Sequence, residues 1–353
     1  MDTVVETHCG KLRGCLSDGV AVFKGVPYAA PPFGANRLLP PQPRERWDGV
    51  RNAHAFGPKP PQVAYPPGIA EALAELVGPG EDCLTLNIWA PELGTAGRAV
   101  MVWIPGGMFE FHATGATAFY DGSRFARDGV VCVTINYRVG AEGFLYLGDG
   151  IANLGLLDQI AALEWVRENI ATFGGDPGKV AIFGESAGGM SVATLLTMPR
   201  AKGLFRRAIV QSGNTPNVTS AAAAARIGKR LADKLGVPAT RRAIAAMAPE
   251  RVLQAQAQLR AGIAADIDLL IGSNTEETRL FLLSDGTIDR FTSEALVAMA
   301  ATHGLPAEGL SPYRAAHPGA SAGELFSAIQ TDWYWRVPAV KLADAHPRRY
   351  FYV

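Results

Sequence analysis

Short apolar runs in the first part of the chain predict a sheet. Three runs, Leu84–Trp89, Ala99–Ile104 and Val130–Asn136, are apolar on both faces, as is typical of strands in a covered parallel sheet. Residues 3–25 contain shorter β-like runs that glycines interrupt, and these runs indicate an antiparallel edge. The pattern therefore predicts a buried, mostly parallel centre with a small antiparallel N-terminal edge.

Helical and strand patterns alternate after these runs. Residues 156–170 have apolar side chains at helical spacing, and a strand at 179–183 leads into a helix from about Ala187. This alternation predicts an α/β protein whose central sheet is flanked by helices, and we expect residues 1–353 to form a single domain. The further predicted elements are a strand at 207–212, helices over roughly 220–259, a strand at 266–274, helices at 292–303 and 322–345, and a strand at 348–353.

Composition and charge argue against several kinds of partner. The 33 basic residues balance the 33 acidic residues, so nothing favours nucleic acid or an anionic membrane. No apolar run approaches the roughly 18 residues of a membrane span, and the N-terminus has no apolar signal-peptide region. The four cysteines are too few for a disulfide scaffold and lack the spacing of a zinc site. We therefore expect a cytoplasmic protein without a metal ion, either a monomer or a small homo-oligomer.

The stretch Gly-Glu-Ser-Ala-Gly at 184–188 has the pattern G-x-S-x-G between a predicted strand and a predicted helix. Such a turn holds its serine in strained backbone angles and exposes the hydroxyl group above the sheet. The start of the helix directs N–H groups and a positive dipole end at the reacting centre. Ser186 is therefore a candidate nucleophile, and the N–H of Ala187 is a candidate oxyanion donor. An ordinary turn serine is the alternative, which the flanking strand and helix disfavour.

A second glycine turn follows the predicted strand at 101–104. Glycines in Gly106-Gly107-Met108 let the backbone approach a substrate carbonyl and direct N–H groups at a developing oxyanion. The acid of a catalytic triad should follow a later strand, because the chain order is serine, acid, histidine. Glu276 and Glu277 both follow the strand at 266–272, and spacing alone does not separate them. A carboxylate that merely stabilises a helix start is the alternative for both residues.

At these motifs the chain resembles the type-B carboxylesterases, a family that also contains cholinesterases and the non-catalytic neuroligins. The segment "FGGDPGKVAIFGESAGG" at 173–189 is similar to the serine signature of the family, and "EDCLTLNIWAP" at 81–91 is similar to its second signature. The resemblance, above all to bacterial intracellular members, implies an α/β-hydrolase fold. It also implies hydrolysis of small-molecule carboxylic esters through an acyl-enzyme, without a cofactor.

The resemblance assigns roles to individual residues. It favours Glu277 over Glu276 as the triad acid. The other implied roles are nucleophile for Ser186, oxyanion donors for Gly107, Met108 and Ala187, supporting residues for Glu185 and Ser212, and pocket lining for Gly106, Phe109 and His112.

Several positions depart from the family pattern. Pro105 replaces a histidine or tyrosine, and Met108 replaces a small residue and adds bulk near the pocket. His112 stands where a glycine is common. Cys83 lacks the partner cysteine that it has in secreted relatives, which indicates a free thiol in an intracellular protein. The segment before Cys83 lacks the tryptophan of choline-binding relatives, which argues against cholinesterase activity.

The catalytic histidine of the family lies in a loop after the strand that matches residues 348–353. We expect this histidine to lie outside the given chain, together with a segment near 259–264 that relatives carry. His303, His317 and His346 have no family context and are expected to be solvated. A missing histidine supports the alternative function, a non-catalytic binding protein on the same fold.

Overall fold

The computed structural model describes residues 2–63, 77–91, 93–94, 97–111, 114–213, 218–263, 279, 282–283, 286–302 and 305–332. The chain divides into two compact units. The first unit comprises Met1–Gln211 with Val218–Asp266, and the second comprises Ser212–Asn217 with Ile267–Val353. The expectation of a single domain over residues 1–353 stays a prediction.

The first unit is built on a nine-stranded sheet. Its strands are β1 (Asp2–Thr7), β2 (Gly10–Ser17), β3 (Val20–Pro27), β4 (Val50–Asn52), β5 (Thr85–Ala90), β6 (Arg98–Ile104), β7 (Val131–Ile135), β8 (Gly175–Glu185) and β9 (Arg207–Gln211). Their order is β1-β2-β3-β5-β7-β6-β8-β9, with β4 beside β2. Strands β7, β6, β8 and β9 are parallel neighbours, which confirms the α/β class.

The antiparallel part of the sheet extends further than the sequence predicts. Strand β5 pairs antiparallel with both β3 and β7, although it was predicted in the parallel centre. Every residue of β5 and of β7 is buried. Apolar side chains on both faces therefore indicate that a strand is buried, but they do not indicate whether it runs parallel or antiparallel to its neighbours.

Helices follow the strands of the first unit. They are α1 (Ser123–Arg127), α2 (Gly140–Phe144), α3 (Leu154–Asn169), α4 (Ala187–Leu195), α5 (Ala221–Leu235), α6 (Arg241–Ala245) and α7 (Pro249–Ile263). Short 3-10 helices lie at Gly34–Asn36, Ala118–Tyr120, Ile170–Phe173 and Pro199–Ala201. The predicted helical region 220–259 is thus three helices. Gly236, at φ 70°, ends α5, and the Thr240 side chain caps the start of α6.

The core of the first unit lies between the sheet and its helices. Side chains of β6 that point to this core, Val100, Val102 and Ile104, are fully buried. They belong to one apolar cluster with residues of α3, including Leu163 and Val166. This packing holds the carboxyl ends of the parallel strands in fixed positions, and both glycine turns begin at those ends.

The second unit is described as helices. They are α8 (Thr287–Arg290), α9 (Ser293–Thr302), a 3-10 turn at Ala307–Gly309, α10 (Leu310–Ala316) and α11 (Ala322–Thr331). Leu296, Leu325 and Ile329 are buried in their shared apolar cluster. The helices predicted at 292–303 and 322–345 begin where expected. Residues 333–345 and the strands predicted at 266–274 and 348–353 lie outside the described residues.

In the part of the chain that the structure describes, no helix combines the length and the apolar composition needed to cross a membrane.

Candidate active site

Ser186 lies on the sharp turn between β8 and α4. Its φ of 54° and ψ of −122° form a combination that residues other than glycine rarely adopt. Its N–H donates to the Gln211 carbonyl at 2.9 Å, and its carbonyl accepts from the Met190 N–H at 2.8 Å. The strand–turn–helix context that the motif predicts is therefore present, and contacts from β9 and α4 hold the serine backbone in place.

Two glycines make this turn sterically possible. A Cβ atom on Gly188 would lie 2.0 Å from the Ile104 carbonyl oxygen, and one on Gly184 would lie 2.6 Å from the Gly188 carbonyl carbon. Real Cβ atoms essentially never come so close to backbone atoms. Strand β8, the start of α4 and the end of β6 therefore pack against one another only because both positions lack side chains.

The second glycine turn contacts the serine turn. A Cβ atom on Gly106 would lie 2.8 Å from the Glu185 carbonyl oxygen and 3.4 Å from Ser186 Cβ. Gly107, Met108 and Phe109 follow with φ values of 106°, 58° and 61°. Within the described part of the chain, the N–H groups of Gly107 and Met108 have no hydrogen-bond acceptor. The structure therefore brings two N–H groups without acceptors into the turn beside the serine.

Residues distant in sequence hold this second turn. The Tyr137 hydroxyl, which is fully buried, donates to the Pro105 carbonyl at 2.8 Å. The Gly140 N–H donates to the Phe109 carbonyl at 2.6 Å. The Phe109 ring meets the Phe144 ring edge-on, with 5.0 Å between centroids. Sequence reasoning assigned no role to Tyr137, because nothing in local spacing indicates a contact made across the sheet.

A buried pair of polar residues supports the first turn of α4. Ser191 Oγ donates to the Ala187 carbonyl at 2.8 Å and accepts from Gln159 Nε2 at 3.0 Å. Both polar side chains are fully buried, and Gln159 Oε1 has no partner among the described residues. The hydrogen bonds connect α3 to α4 directly below the turn that carries Ser186.

Glu185 lies on the solvent side of the serine turn. Its side chain is exposed, and its Oε2 atom would lie 3.2 Å from a Cβ on Gly106. Burial, followed by the charge of Glu185, raises the pKa of Tyr120. Tyr120 is therefore a neutral hydroxyl near this carboxylate, and its ring lies 5.0 Å from that of Trp103.

Other predicted site residues are placed elsewhere or not described. Ser212 directly follows β9 and has a φ of 47°. Glu276, Glu277 and His112 lie outside the described residues, so their roles stay predictions. Among described residues, no group of three or more His, Cys, Asp or Glu side chains lies close enough together to hold a metal ion.

The described histidines have other environments. His8 contacts the Asn169 side chain, and His54 Nε2 lies 3.2 Å from the Gly14 carbonyl. His317 is exposed, as expected. His303 and His346 lie outside the described residues. None of the three described histidines hydrogen-bonds to Ser186.

All four cysteines are described, and each is a free thiol. Cys83 is fully buried, and burial, strengthened by the nearby Asp158 charge, raises its pKa. Burial likewise raises the pKa of Cys132 to about 12. Both thiols are therefore protonated at neutral pH and behave as small apolar side chains.

Several proteins of similar sequence are esterases or hydrolases. The chain is 49% identical over 226 residues to para-nitrobenzyl esterase of Bacillus subtilis, a region that covers 63% of this chain and 46% of the relative. It is 46% identical over 212 residues to phenmedipham hydrolase of Pseudarthrobacter oxydans, with 59% and 42% covered. It is also 46% identical over 230 residues to liver carboxylesterase of Sus scrofa, with 60% and 40% covered. The chain thus spans less than half the length of these curated relatives.

Solved structures match a larger share of this chain and of their own length than the curated relatives do. The carboxylesterase EST55 of Geobacillus stearothermophilus, at pH 6.2, superposes with a TM-score of 0.84 and 40% identity, covering 98% of this chain and 77% of that chain. A PNB esterase structure superposes with a TM-score of 0.79 and 37% identity, at 98% and 77% coverage. The model of the carboxylesterase family matches residues 1–249. With most of its length matched, the chain belongs to the carboxylesterase family and has its α/β-hydrolase fold.

Proposed function

We propose that this protein is a serine carboxylesterase that hydrolyses small-molecule carboxylic esters through an acyl-enzyme on Ser186. The observation that carries the proposal is the strained backbone of Ser186, held against the Gly106 turn. A serine in such angles costs about 1–3 kcal/mol, and such strain clusters where a mechanism requires it. Membership of a family whose named relatives are esterases supports the same reaction.

The proposed reaction has two stages. In the first, Ser186 Oγ attacks the ester carbonyl carbon while its proton passes to a histidine base, and the carbonyl π electrons move to the oxygen. The tetrahedral intermediate collapses, the C–O bond to the alcohol breaks, and the histidine returns the proton to the leaving alcohol. In the second stage, water attacks the acyl group by the same route and releases the acid and free Ser186.

The N–H groups of Gly107, Met108 and Ala187 are the proposed oxyanion donors. Those of Gly107 and Met108 have no acceptor among the described residues, and that of Ala187 belongs to the first turn of α4, where N–H groups lack intrahelical partners. The Ala187 N–H shares a peptide group with the Ser186 carbonyl, which accepts from Met190 at 2.8 Å. That bond fixes the plane of the donor. Loss of one such donor costs about 10²–10³ in turnover.

Glu277 is the proposed triad acid, and a histidine is the proposed base. Glu185 and Ser212 are proposed supporting residues, and Gly106, Phe109 and His112 are proposed to line the pocket. Met108 adds bulk beside the oxyanion site and should disfavour esters with large acyl groups. We also propose a cytoplasmic location, supported by the four free thiols, and a monomer or small homo-oligomer.

The test is hydrolysis of activated esters of graded acyl length by the full-length protein. Ser186→Ala should reduce turnover by roughly 10⁶, while Ser17→Ala, on an exposed strand end, should leave it unchanged. Turnover that falls with acyl length would support the effect of Met108. Equal turnover in Ser186→Ala and in the native protein would overturn the proposed function.

A further inference from the structure

The second glycine turn, residues 106–109, carries two of the proposed oxyanion donors and is called the oxyanion turn below. A hydrogen-bonded connection runs from this turn to helix α7, most of which lies beyond the residues that match the family model. The Gly140 N–H, at the start of α2, donates to the Phe109 carbonyl at 2.6 Å. The next N–H, of Ala141, donates to Gln256 Oε1 at 2.9 Å. Gln256 lies on α7, whereas the family match ends at residue 249.

Both the oxygen and the nitrogen of the Gln256 side-chain amide lie close to the start of α2. A Cβ atom on Gly140 would lie 2.8 Å from Gln256 Oε1 and 2.9 Å from its Nε2. The amide therefore packs directly on the backbone of Gly140, which has a φ of 57°. Because the Ala141 N–H can only donate, the amide must present its oxygen, and this fixes its orientation.

Helix α2 depends on such external contacts. It has five residues, too few to be stable as an isolated helix. Its first N–H groups have no intrahelical acceptors, and Gln256 supplies one for Ala141. Leu145, directly after α2, packs in one apolar cluster with Val252 and Ala255 of α7. The position of α2 is therefore determined in part by α7.

The oxyanion turn depends in turn on α2. Met108 and Phe109 both have positive φ, and such strain persists only where surrounding contacts determine the conformation. Two contacts hold Phe109, the hydrogen bond from Gly140 and the edge-on ring of Phe144, and both come from α2. A shift of α2 therefore moves the residue next to the proposed donor Met108.

We propose that Gln256 is a positioning residue for the oxyanion turn, acting through Ala141 and Gly140 on Phe109. The role rests on the proposed ester hydrolysis. It predicts that loss of the Gln256 oxygen weakens stabilisation of the transition state more than it weakens binding of the substrate.

The test compares three leucine variants of α7 in the full-length protein. Gln256→Leu removes the acceptor, whereas Gln254→Leu and Gln258→Leu make the same change at exposed positions of the helix. Gln256→Leu should lower kcat about fivefold, as expected for one lost hydrogen bond, with little change in KM. Both controls should keep the native kcat. Gln256→Glu keeps an oxygen acceptor and should therefore retain most of the native kcat.

A second readout does not depend on activity. Hydrogen exchange at the Gly140 and Ala141 amides should become faster in Gln256→Leu and stay native in both controls. Native exchange in Gln256→Leu, or an equal loss of kcat in Gln256→Glu, would overturn the positioning role. If the native protein hydrolyses no ester, the proposed function fails, and the exchange rates alone decide whether Gln256 holds α2.

Discussion

The hairpin turn between β2 and β3 and the turn at Ser186 both contain positive φ values, but for different reasons. Asp18 and Gly19, with φ values of 50° and 79°, connect β2 to β3. Asp-Gly is the residue pair that a two-residue hairpin turn favours, and a Cβ on Gly19 would meet nothing within 4 Å. The hairpin turn is therefore relaxed, and its residue types suit its backbone.

The turn at Ser186 lacks this match. Serine has no intrinsic preference for a φ of 54° with a ψ of −122°, and methionine and phenylalanine have none for the positive φ of residues 108 and 109. Contacts from distant residues hold these conformations. The Gln211 carbonyl accepts from the Ser186 N–H, and the Gly140 N–H donates to the Phe109 carbonyl. A local reversal is therefore encoded by its own residues, whereas a reactive turn is imposed by the surrounding fold.

Alanine substitutions at Gly188, in the serine turn, and at Gly19, in the hairpin turn, should separate a crowded glycine position from an open one. In Gly188→Ala the methyl group would meet the Ile104 carbonyl oxygen at 2.0 Å, so α4 must move away from β6. We expect the free energy of unfolding to fall by more than about 4 kcal/mol. Gly19→Ala meets only backbone strain and should cost about 1–2 kcal/mol. Urea unfolding of both variants measures the difference, and equal losses would contradict the comparison.

Removing one partner of a buried ion pair should lower the free energy of unfolding nearly as much. Arg138 donates to both Asp158 oxygens, at 2.8 and 2.7 Å, and both side chains are fully buried. Asp158→Asn leaves the guanidinium uncompensated and should lower the free energy of unfolding by about 3–5 kcal/mol. Urea unfolding at neutral pH checks this. A loss below about 1 kcal/mol would mean that water reaches the pair.

Glycine in place of the strained serine should show the strain directly. Ser186→Gly removes the steric cost of the positive φ and should raise the free energy of unfolding by about 1–2 kcal/mol. Asp18→Gly should give no such gain, because aspartate tolerates the left-handed region. Thermal unfolding of the two variants side by side measures both effects. Destabilisation by Ser186→Gly would show that the serine is not strained.

The smallest effect should come from an ion pair at the surface. Hydrogen bonds from Arg241, at 2.7 and 2.8 Å, lower the pKa of Asp149. A lowered carboxylate pKa stabilises the fold at pH values above its ordinary pKa, and this gain is lost as the pH falls through the lowered value. Asp149→Asn should therefore cost less than about 1 kcal/mol at neutral pH. Unfolding measured along a pH series should show the difference between variant and native protein vanishing in acid.

Sequence reasoning reached those features that local residues determine. The strand and helix around Ser186 and the α/β class with its parallel strands follow from motif and pattern. The first of the two breaks in the region 220–259 follows from Gly236 and the Thr240 cap, yet periodicity alone did not reveal it. Local signals of this kind are present in the sequence once the turn chemistry is considered.

The rest depends on contacts between distant parts of the chain. Nothing in the β5 sequence reports that its neighbours run antiparallel, because a buried strand is apolar in either direction. Gln256 lies among other glutamines of α7 and is distinguished from Gln254 and Gln258 by its partial burial and its contact with α2. Such roles appear only when the fold brings the segments together.

The most direct test of the account is the site at which an organophosphonate reacts with the full-length protein. Mass spectrometry of the digested protein should find the adduct on Ser186, and Ser186→Ala should prevent labelling, because Ser186 is held at a strand–helix turn beside N–H groups that have no acceptor among the described residues. An adduct on another serine, or labelling that survives Ser186→Ala, would contradict the claim that this turn is built for nucleophilic attack.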